Sequence, residues 1–181
     1  MKITKIETPR DFADHVVNLD IDDFIECPTD LRRAYHACTS LLSLRDWIVR
    51  SYYDRDWFWQ KVLQGQITTV GKMQEGLNTI DKSFEITTDI ANASKHMVLD
   101  PNKRQTELYG AANVEIRTAT TTAGGSALGA ALLNSAMLNE APTIVTTDRI
   151  RAQIGSVYVD VLSCVVKARA IWDSLMDENG W

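Results

Sequence analysis

The side chains best suited to chemistry lie close together in one short stretch, residues 89–96 (DIANASKH). On a helix its polar side chains recur at intervals of three and four residues, so they line one edge of that helix. A carboxylate, an amide and an imidazole then lie in a row, with an ammonium group beside the imidazole. A lysine can bind and stabilise a phosphate, and a histidine can move a proton. The candidate catalytic residues are therefore Asp89, Asn92, Lys95 and His96.

Other interpretations of this stretch stay open beside the chemical one. The polar edge can face solvent or a neighbouring helix, and a histidine at a helix C-terminus is favoured by the helix dipole. Alternatively, Asp89 and His96 belong to a hydrogen-bonded network that fixes how this helix meets the next one. A metal site is a further alternative, but Asp89 and His96 would be about two turns, roughly 10 Å, apart. Its other ligands would have to come from other helices, with His36 as the candidate.

A second histidine motif lies near the start of the sequence. Residues 10–15 (RDFADH) place His15 five positions after Arg10. An arginine can stabilise a phosphate while a histidine transfers a proton, so Arg10 and His15 are the alternative catalytic pair.

The composition is that of an ordinary globular chain. Of its 181 residues, 45% are hydrophobic and 24% are charged, so the chain can bury a sizeable core without disulfides. The net charge of −5 argues against a surface that coats nucleic acid, because such a surface needs a concentrated basic field. We expect a single domain over residues 1–181.

The pattern of cysteines, glycines and apolar runs predicts no metal, cofactor or membrane role. Cys27, Cys38 and Cys164 are far apart and form no C-x-x-C pair, which argues against a zinc site or a disulfide framework. The glycines of residues 124–129 (GGSALG) lack the lysine and the strand-to-helix context of a phosphate-binding loop. No run reaches the roughly 18 apolar residues of a membrane span, and the N-terminus has no signal-peptide core. We expect a soluble, cytoplasmic protein without a cofactor.

The hydrophobic periodicity predicts helices over most of the chain. Residues 114–122 and 143–148 instead alternate or are rich in β-branched residues, which is typical of strands. The expected fold class is α+β, mainly α, a helical bundle with a small antiparallel β insertion before the C-terminal helix. The predicted elements are helices at about 9–25, 31–53, 55–63, 72–80 and 84–97, a β-containing insertion at 113–157 and a closing helix at 158–176.

Three features leave alternatives open. Arg45 is the one charged member of an apolar helical stripe, so it either extends toward solvent or meets a carboxylate. Residues 52–63 hold five aromatic side chains, which form a core corner or a ligand-stacking platform. Residues 123–138 form a loop or a short helix. With the exposed edge of the sheet, they could provide a surface for a partner.

The segment IANASKH, residues 90–96, resembles one in small uncharacterised bacterial and phage proteins. In those proteins the helix end precedes a β-hairpin and a closing helix that contains tryptophan. The corresponding features here are the strands around residues 143–157 and Trp172. The resemblance covers the second half of the chain and implies no activity.

The chain is more distantly similar to HEPN domains, which are helical bundles. Many HEPN members are dimeric, metal-independent ribonucleases with an arginine four to six residues before a histidine, as at Arg10 and His15. The HEPN motif normally lies late in the bundle, nearer to the position of IANASKH. That segment has Ala91 where an arginine would help, and Lys95 directly precedes His96. The resemblance implies that these two residues would act in a groove formed by two chains.

We therefore expect a helical binding or regulatory protein that acts through protein–protein contacts, as a homo-oligomer or with another protein. A HEPN-like ribonuclease or toxin-type protein, with RNA as its substrate, is the alternative. A metal-dependent hydrolase built from His36, His96 and Asp89 is a third possibility. The sequence does not decide whether the protein is an enzyme.

Overall fold

The computed structural model describes residues 5–52, 69–96, 98–123 and 143–180. Helices come first along the chain, and a three-stranded antiparallel sheet separates them from a closing helix. This is the mainly α, α+β fold class that the sequence predicts. The helices are α1 (Pro9–Phe12), α2 (Asn18–Glu26), α3 (Leu31–Tyr52), α4 (Val70–Ile80), α5 (Ser83–Ala93) and α6 (Val161–Asn179), and the strands are β1 (Val114–Ala123), β2 (Thr143–Ile154) and β3 (Val157–Asp160).

The N-terminal helix is built from three consecutive helical segments. The Thr8 hydroxyl accepts a hydrogen bond from the Asp11 N–H, and the Asp11 carboxylate accepts one from the Thr8 N–H, both at 3.0 Å. This capping box, with Pro9 in the first turn, starts the helix. Residues Ala13–Val17 then form a π-helical turn between α1 and α2. The helix predicted over 9–25 is therefore present, with one wider turn that the sequence pattern does not indicate.

Helix α3 is the long central helix. Its charged residue Arg45 donates hydrogen bonds to the Asp46 carboxylate, at 2.7 and 2.9 Å, and to the side-chain oxygen of Gln74 on α4, at 2.7 Å. Of the two expectations for Arg45, contact with a carboxylate is the one observed. The apolar buried residues of α3 are Ala34, Ala37, Cys38, Leu41, Leu44, Ile48 and Val49.

The fifth helix ends earlier than the sequence predicts. A helix was expected over residues 84–97, whereas α5 ends at Ala93. The chain turns at Ser94 and Lys95, where the Ser94 hydroxyl donates to the Ala91 carbonyl oxygen at 2.6 Å. A hydroxyl that bonds the preceding turn competes with helical backbone bonding, which favours an end here.

The closing helix begins later than predicted. Residues 157–160 form strand β3 instead of the first turn of a helix over 158–176. The Asp160 carboxylate then accepts a hydrogen bond from the Ser163 N–H at 2.8 Å and caps α6, which continues to Asn179. The predicted helix at 55–63, most of the aromatic cluster at 52–63 and most of the segment 123–138 lie outside the described residues.

The sheet has strand order β1-β2-β3 and packs one face against the helices. In its register, Val114 lies opposite Ala152 and Ile116 opposite Ile150. Val114, Ile150 and Ala152 are buried, so this face joins the core. The opposite face carries charged pairs, such as Arg151 with Asp160 at 3.5 Å.

Helix α6 completes the core. Trp172 is 1% exposed and contacts the Phe84 ring edge to face, with 5.7 Å between ring centroids. Cys164 of α6 and Cys38 of α3 are both buried, as free thiols. Burial raises the pKa of Cys38 far above its usual range and that of Cys164 to about 11. These thiols therefore behave as small apolar groups.

Two ion pairs join α6 to the N-terminal helix. Arg10 of α1 contacts Asp177 at 2.6 Å, and Arg169 of α6 contacts Asp22 of α2 at 2.7 Å. They bridge residues more than a hundred positions apart and hold the first and last helices side by side. In the described part of the chain, none of the helices has the length and apolar character needed to cross a membrane.

Candidate functional site

Asp89, the carboxylate of the predicted catalytic edge, is fully buried. Its oxygens accept hydrogen bonds from the Gln105 N–H at 2.8 and 2.9 Å, and from the N–H and hydroxyl of Thr106 at 2.5 and 2.7 Å. Burial raises the pKa of Asp89, while these donors act in the opposite direction. The carboxylate is saturated by the loop that follows α5, so it is a structural anchor for that loop.

The anchor belongs to a longer polar network. Gln74 of α4 accepts hydrogen bonds from Arg45 and, at 3.1 Å, from the Thr88 hydroxyl on α5. Its amide donates to Asn78 at 2.6 Å, and the Asn78 amide donates to the Gln105 side chain at 3.0 Å. The network connects three helices to the loop. The sequence interpretation placed both Asp89 and His96 in a network between helices; here Asp89 joins α5 to a loop, and His96 makes no bond in the network among the described residues.

The other predicted catalytic residues lie at the end of α5 or beyond it. Asn92 is half-buried in the last turn, while Lys95 and His96 are exposed in the following turn. Because α5 ends at Ala93, the four residues do not form one continuous helix edge. The side chain of His96 makes no hydrogen bond or ion pair with any residue that the structure describes.

The alternative pair, Arg10 and His15, lies on the N-terminal helix. The Arg10 guanidinium is held by Asp177 of α6, and His15 is exposed in the π-helical turn. Among the described residues, no three histidine, cysteine, aspartate or glutamate side chains lie close enough to hold a metal ion. The structure therefore does not assemble a metal centre from His36, His96 and Asp89.

A groove of about 600 Å³ lies between the N-terminal helix and α3, and is called the α2–α3 groove below. Four of its residues, Arg32, His36, Ser40 and Ser43, follow each other along one stripe of α3. Its volume is within the range of small-molecule sites in proteins. The complete lining is Phe12, Val16, Asp20, Arg32, Tyr35, His36, Thr39, Ser40, Ser43 and Ser94.

Sequence reasoning named only His36 among these lining residues as a candidate. The spacing of Arg32, His36, Ser40 and Ser43 was visible in the sequence as a polar stripe on a long helix. The sequence did not indicate the apolar wall that lies across from this stripe. That wall belongs to the N-terminal helix, and the π-helical turn determines which side chains of that helix face α3. Burial raises the pKa of Tyr35, whose hydroxyl lies 3.5 Å from the Ala111 carbonyl oxygen.

The sheet offers a second candidate surface. Strands β1 and β2 pair over ten residues, but β3 pairs only with residues 151–154 of β2. Residues 116–123 and 143–150 therefore form a two-stranded segment, called the ribbon below. Where its side chains are described (116–118 and 146–150), the only buried one is Ile150, at its base. In these described residues the ribbon exposes side chains on both of its faces.

The outer face of the sheet is rich in arginine. Arg117 and Arg149 lie directly opposite each other on β1 and β2, which is an unfavourable arrangement of like charges. The Arg117 guanidinium lies 3.9 Å from the centroid of the Tyr158 ring and its Nε lies 3.6 Å from Glu115. Within the described residues, the Arg149 side chain has no hydrogen bond or ion pair.

Comparison with known proteins adds no family to this description. No family model, no curated protein and no solved structure matches the chain.

Proposed function

We propose that the protein is a helical binding protein that acts through protein–protein contacts, and that strand β1 binds the β1 strand of a second copy. The observation that carries the proposal is the exposed ribbon. A two-stranded ribbon is at best marginally stable alone, because its backbone groups and side chains lack neighbours. A second sheet edge would supply these neighbours.

The edge formed by β1 lacks the usual protection against strand pairing. In the described sheet β1 has β2 on one side only. Strand β1 contains no proline, and its only two charged residues, Glu115 and Arg117, have opposite signs. Exposed edges are normally blocked by charges, prolines or bulges, since an open edge can pair with another chain. An unblocked edge is expected where pairing is part of the function.

One antiparallel register makes β1 complementary to itself. If two copies pair over residues 114–118, centred on Ile116, the Ile116 side chains lie opposite each other. This residue is 49% exposed in the single chain. Glu115 of each chain then lies opposite the partner's Arg117, which gives two cross-strand pairs of opposite charge. Such a twofold arrangement uses the same surface on both subunits, as closed dimers do.

A charge reversal at Arg117 separates dimerisation from folding. In R117E each proposed ion pair becomes a repulsion, a change of about 1 kcal/mol for each of two pairs, so the dimer weakens about thirtyfold. Within the chain the new glutamate faces Arg149, which removes the like-charged pair and offsets the loss of the Arg117 contacts with Tyr158 and Glu115. We therefore expect light scattering after size exclusion to show a wild-type dimer and an R117E monomer, with little loss of thermal stability.

The double variant E115R/R117E restores the complementary charges between copies, so dimerisation should recover. Arg50→Glu, an exposed charge reversal on α3, is the matched control and should leave the dimer intact. The proposal fails if the wild type is monomeric at every concentration, or if R117E dimerises as tightly as the wild type.

A ribonuclease is the second candidate, and the exposure of Lys95 and His96 supports it. Both residues directly follow Ser94, which lines the α2–α3 groove. The test is cleavage of single-stranded RNA by wild type, His96→Ala and His15→Ala, with circular dichroism to confirm folding. Loss of cleavage in one folded variant would assign its histidine. This function is refuted if wild type leaves the RNA intact, or if both variants cut the RNA as fast as wild type does.

A further inference from the structure

The α2–α3 groove carries charged groups that have no partner, or only a distant one, among the described residues. The side chains of Asp20 and His36 make no hydrogen bond or ion pair with the described residues. Arg32 has one distant partner, Asp30, at 3.9 Å. These opposite charges line one concave surface and do not pair with each other. A ligand in the groove can therefore contact both charges.

The arrangement of the two helices places these charges at the same end of the groove. Phe12 stacks on Trp47 with 5.2 Å between ring centroids, which fixes the N-terminal helix beside the later part of α3. Residues 27–30 then connect α2 to the start of α3, so the two helices run antiparallel. Asp20 therefore lies toward the connection, as do Arg32 and His36, and Phe12 lies at the other end.

Two of the hydroxyl groups that line the groove, those of Ser40 and Ser43, bond to their own helix. The Ser40 hydroxyl donates to the Ala37 carbonyl oxygen at 3.1 Å, and the Ser43 hydroxyl donates to the Thr39 carbonyl oxygen at 2.9 Å. Their protons are used, so these serines add little polarity to the groove beyond acceptor lone pairs. Val16 on the opposite wall and Phe12 at the far end make this part of the groove mainly apolar.

A π-helical turn shapes one wall of the groove. Such turns are rare and are frequently found at functional sites. Here the turn covers Ala13–Val17 and supplies Val16 to the wall of the groove.

We propose that the α2–α3 groove binds a small zwitterion, a free α-amino acid with an apolar side chain. Its carboxylate contacts Arg32 and His36, its ammonium group contacts Asp20, and its side chain lies against Val16 and Phe12. An anion without the ammonium group would face the unpaired Asp20, and a simple amine would face Arg32. The zwitterion satisfies both charges at once.

Three related compounds test the two charge contacts separately. L-phenylalanine carries both charges, N-acetyl-L-phenylalanine lacks the ammonium group, and phenethylamine lacks the carboxylate. Binding is followed by NMR through the imidazole signal of His36, assigned with His36→Gln. We expect saturable binding of L-phenylalanine, with each analogue weaker by about fivefold, as for partly exposed charge contacts.

Variants with matched controls identify which residue makes each contact. Asp20→Asn should weaken the binding of L-phenylalanine but not that of the N-acetyl analogue. Asp23→Asn, on the same helix outside the groove, should change the binding of neither compound. Arg32→Gln should weaken the binding of both carboxylate compounds but not that of phenethylamine. Arg50→Gln should leave the binding of all three compounds unchanged. The proposal is overturned if L-phenylalanine gives no saturable shift, if the N-acetyl analogue binds equally well, or if the controls weaken binding as much as the groove variants.

Discussion

Removal of the buried carboxylate of Asp89 should destabilise the protein without affecting its surface. In Asp89→Ala the Gln105 N–H and both donors of Thr106 lose their acceptor. A buried donor left unpaired costs about 1–3 kcal/mol, and these donors are only partly buried, so each costs about 1 kcal/mol. Removal of the buried charge offsets part of this cost. We expect a total loss of about 2–3 kcal/mol.

Urea denaturation followed by circular dichroism measures this loss. In a chain of this size it lowers the melting temperature by about 4–12 °C. Glu85→Ala is the matched control, because Glu85 lies one turn earlier on α5 and has no side-chain partner among the described residues. Its effect should stay within about 0.5 kcal/mol. If Asp89→Ala is no less stable than Glu85→Ala, with the same urea dependence, the anchor role of Asp89 is refuted.

The pH dependence of stability gives a further check on Asp89. Its pKa is raised above the ordinary value of 3.8, so the folded protein keeps this proton to a higher pH than the unfolded chain. The contribution of Asp89 to stability therefore falls as the pH rises from about 3.8 through its folded pKa. Asp89→Asn should remove this fall in stability from the pH profile. If the difference in unfolding free energy between wild type and variant stays constant across this pH range, the prediction is contradicted.

Two further predictions concern the thiols and an ion pair. A thiol reagent should modify Cys27 rapidly in the native protein. Cys38 and Cys164 should react only after denaturation, because they are buried with raised pKa values. Rapid modification of all three thiols in the folded protein would disprove this. The hydrogen bond from Lys167 lowers the pKa of Asp81 to about 2, so this pair stabilises the fold above pH 3.8 and the stabilisation is lost as the pH falls toward 2. Lys167→Met should flatten the stability profile in that window, measured by urea denaturation at each pH, and an unaltered profile would count against the pair.

The parts of the fold that were predictable from sequence are those encoded by local periodicity. The stripe of α3 repeats over six turns, and β1 begins with alternation and continues with β-branched residues, so both elements were predicted close to their observed bounds. The end of α5 was missed for the same reason. Apolar residues continue at helical spacing as far as Met97, although the chain leaves the helix after Ala93.

The candidate sites depended on information that no local pattern contains. Asp89 was selected for its chemistry, but its role was decided by Gln105 and Thr106, which arrive from a loop without periodicity. The α2–α3 groove requires two helices whose relative position is set by the stacking of Phe12 on Trp47. Sequence spacing could show the polar stripe on α3, but it could not show what faces it.

The position of α6 has a consequence for how the chain reaches this fold. Trp172 fills the centre of the core, and the pairs Arg10–Asp177 and Asp22–Arg169 close it against the first helix. During synthesis the earlier helices must therefore wait for the last one, with their apolar faces uncovered. Contacts between such distant positions also slow folding, because a long loop must close before they form. A nascent chain that stalls before α6 should consequently depend on chaperones to avoid aggregation.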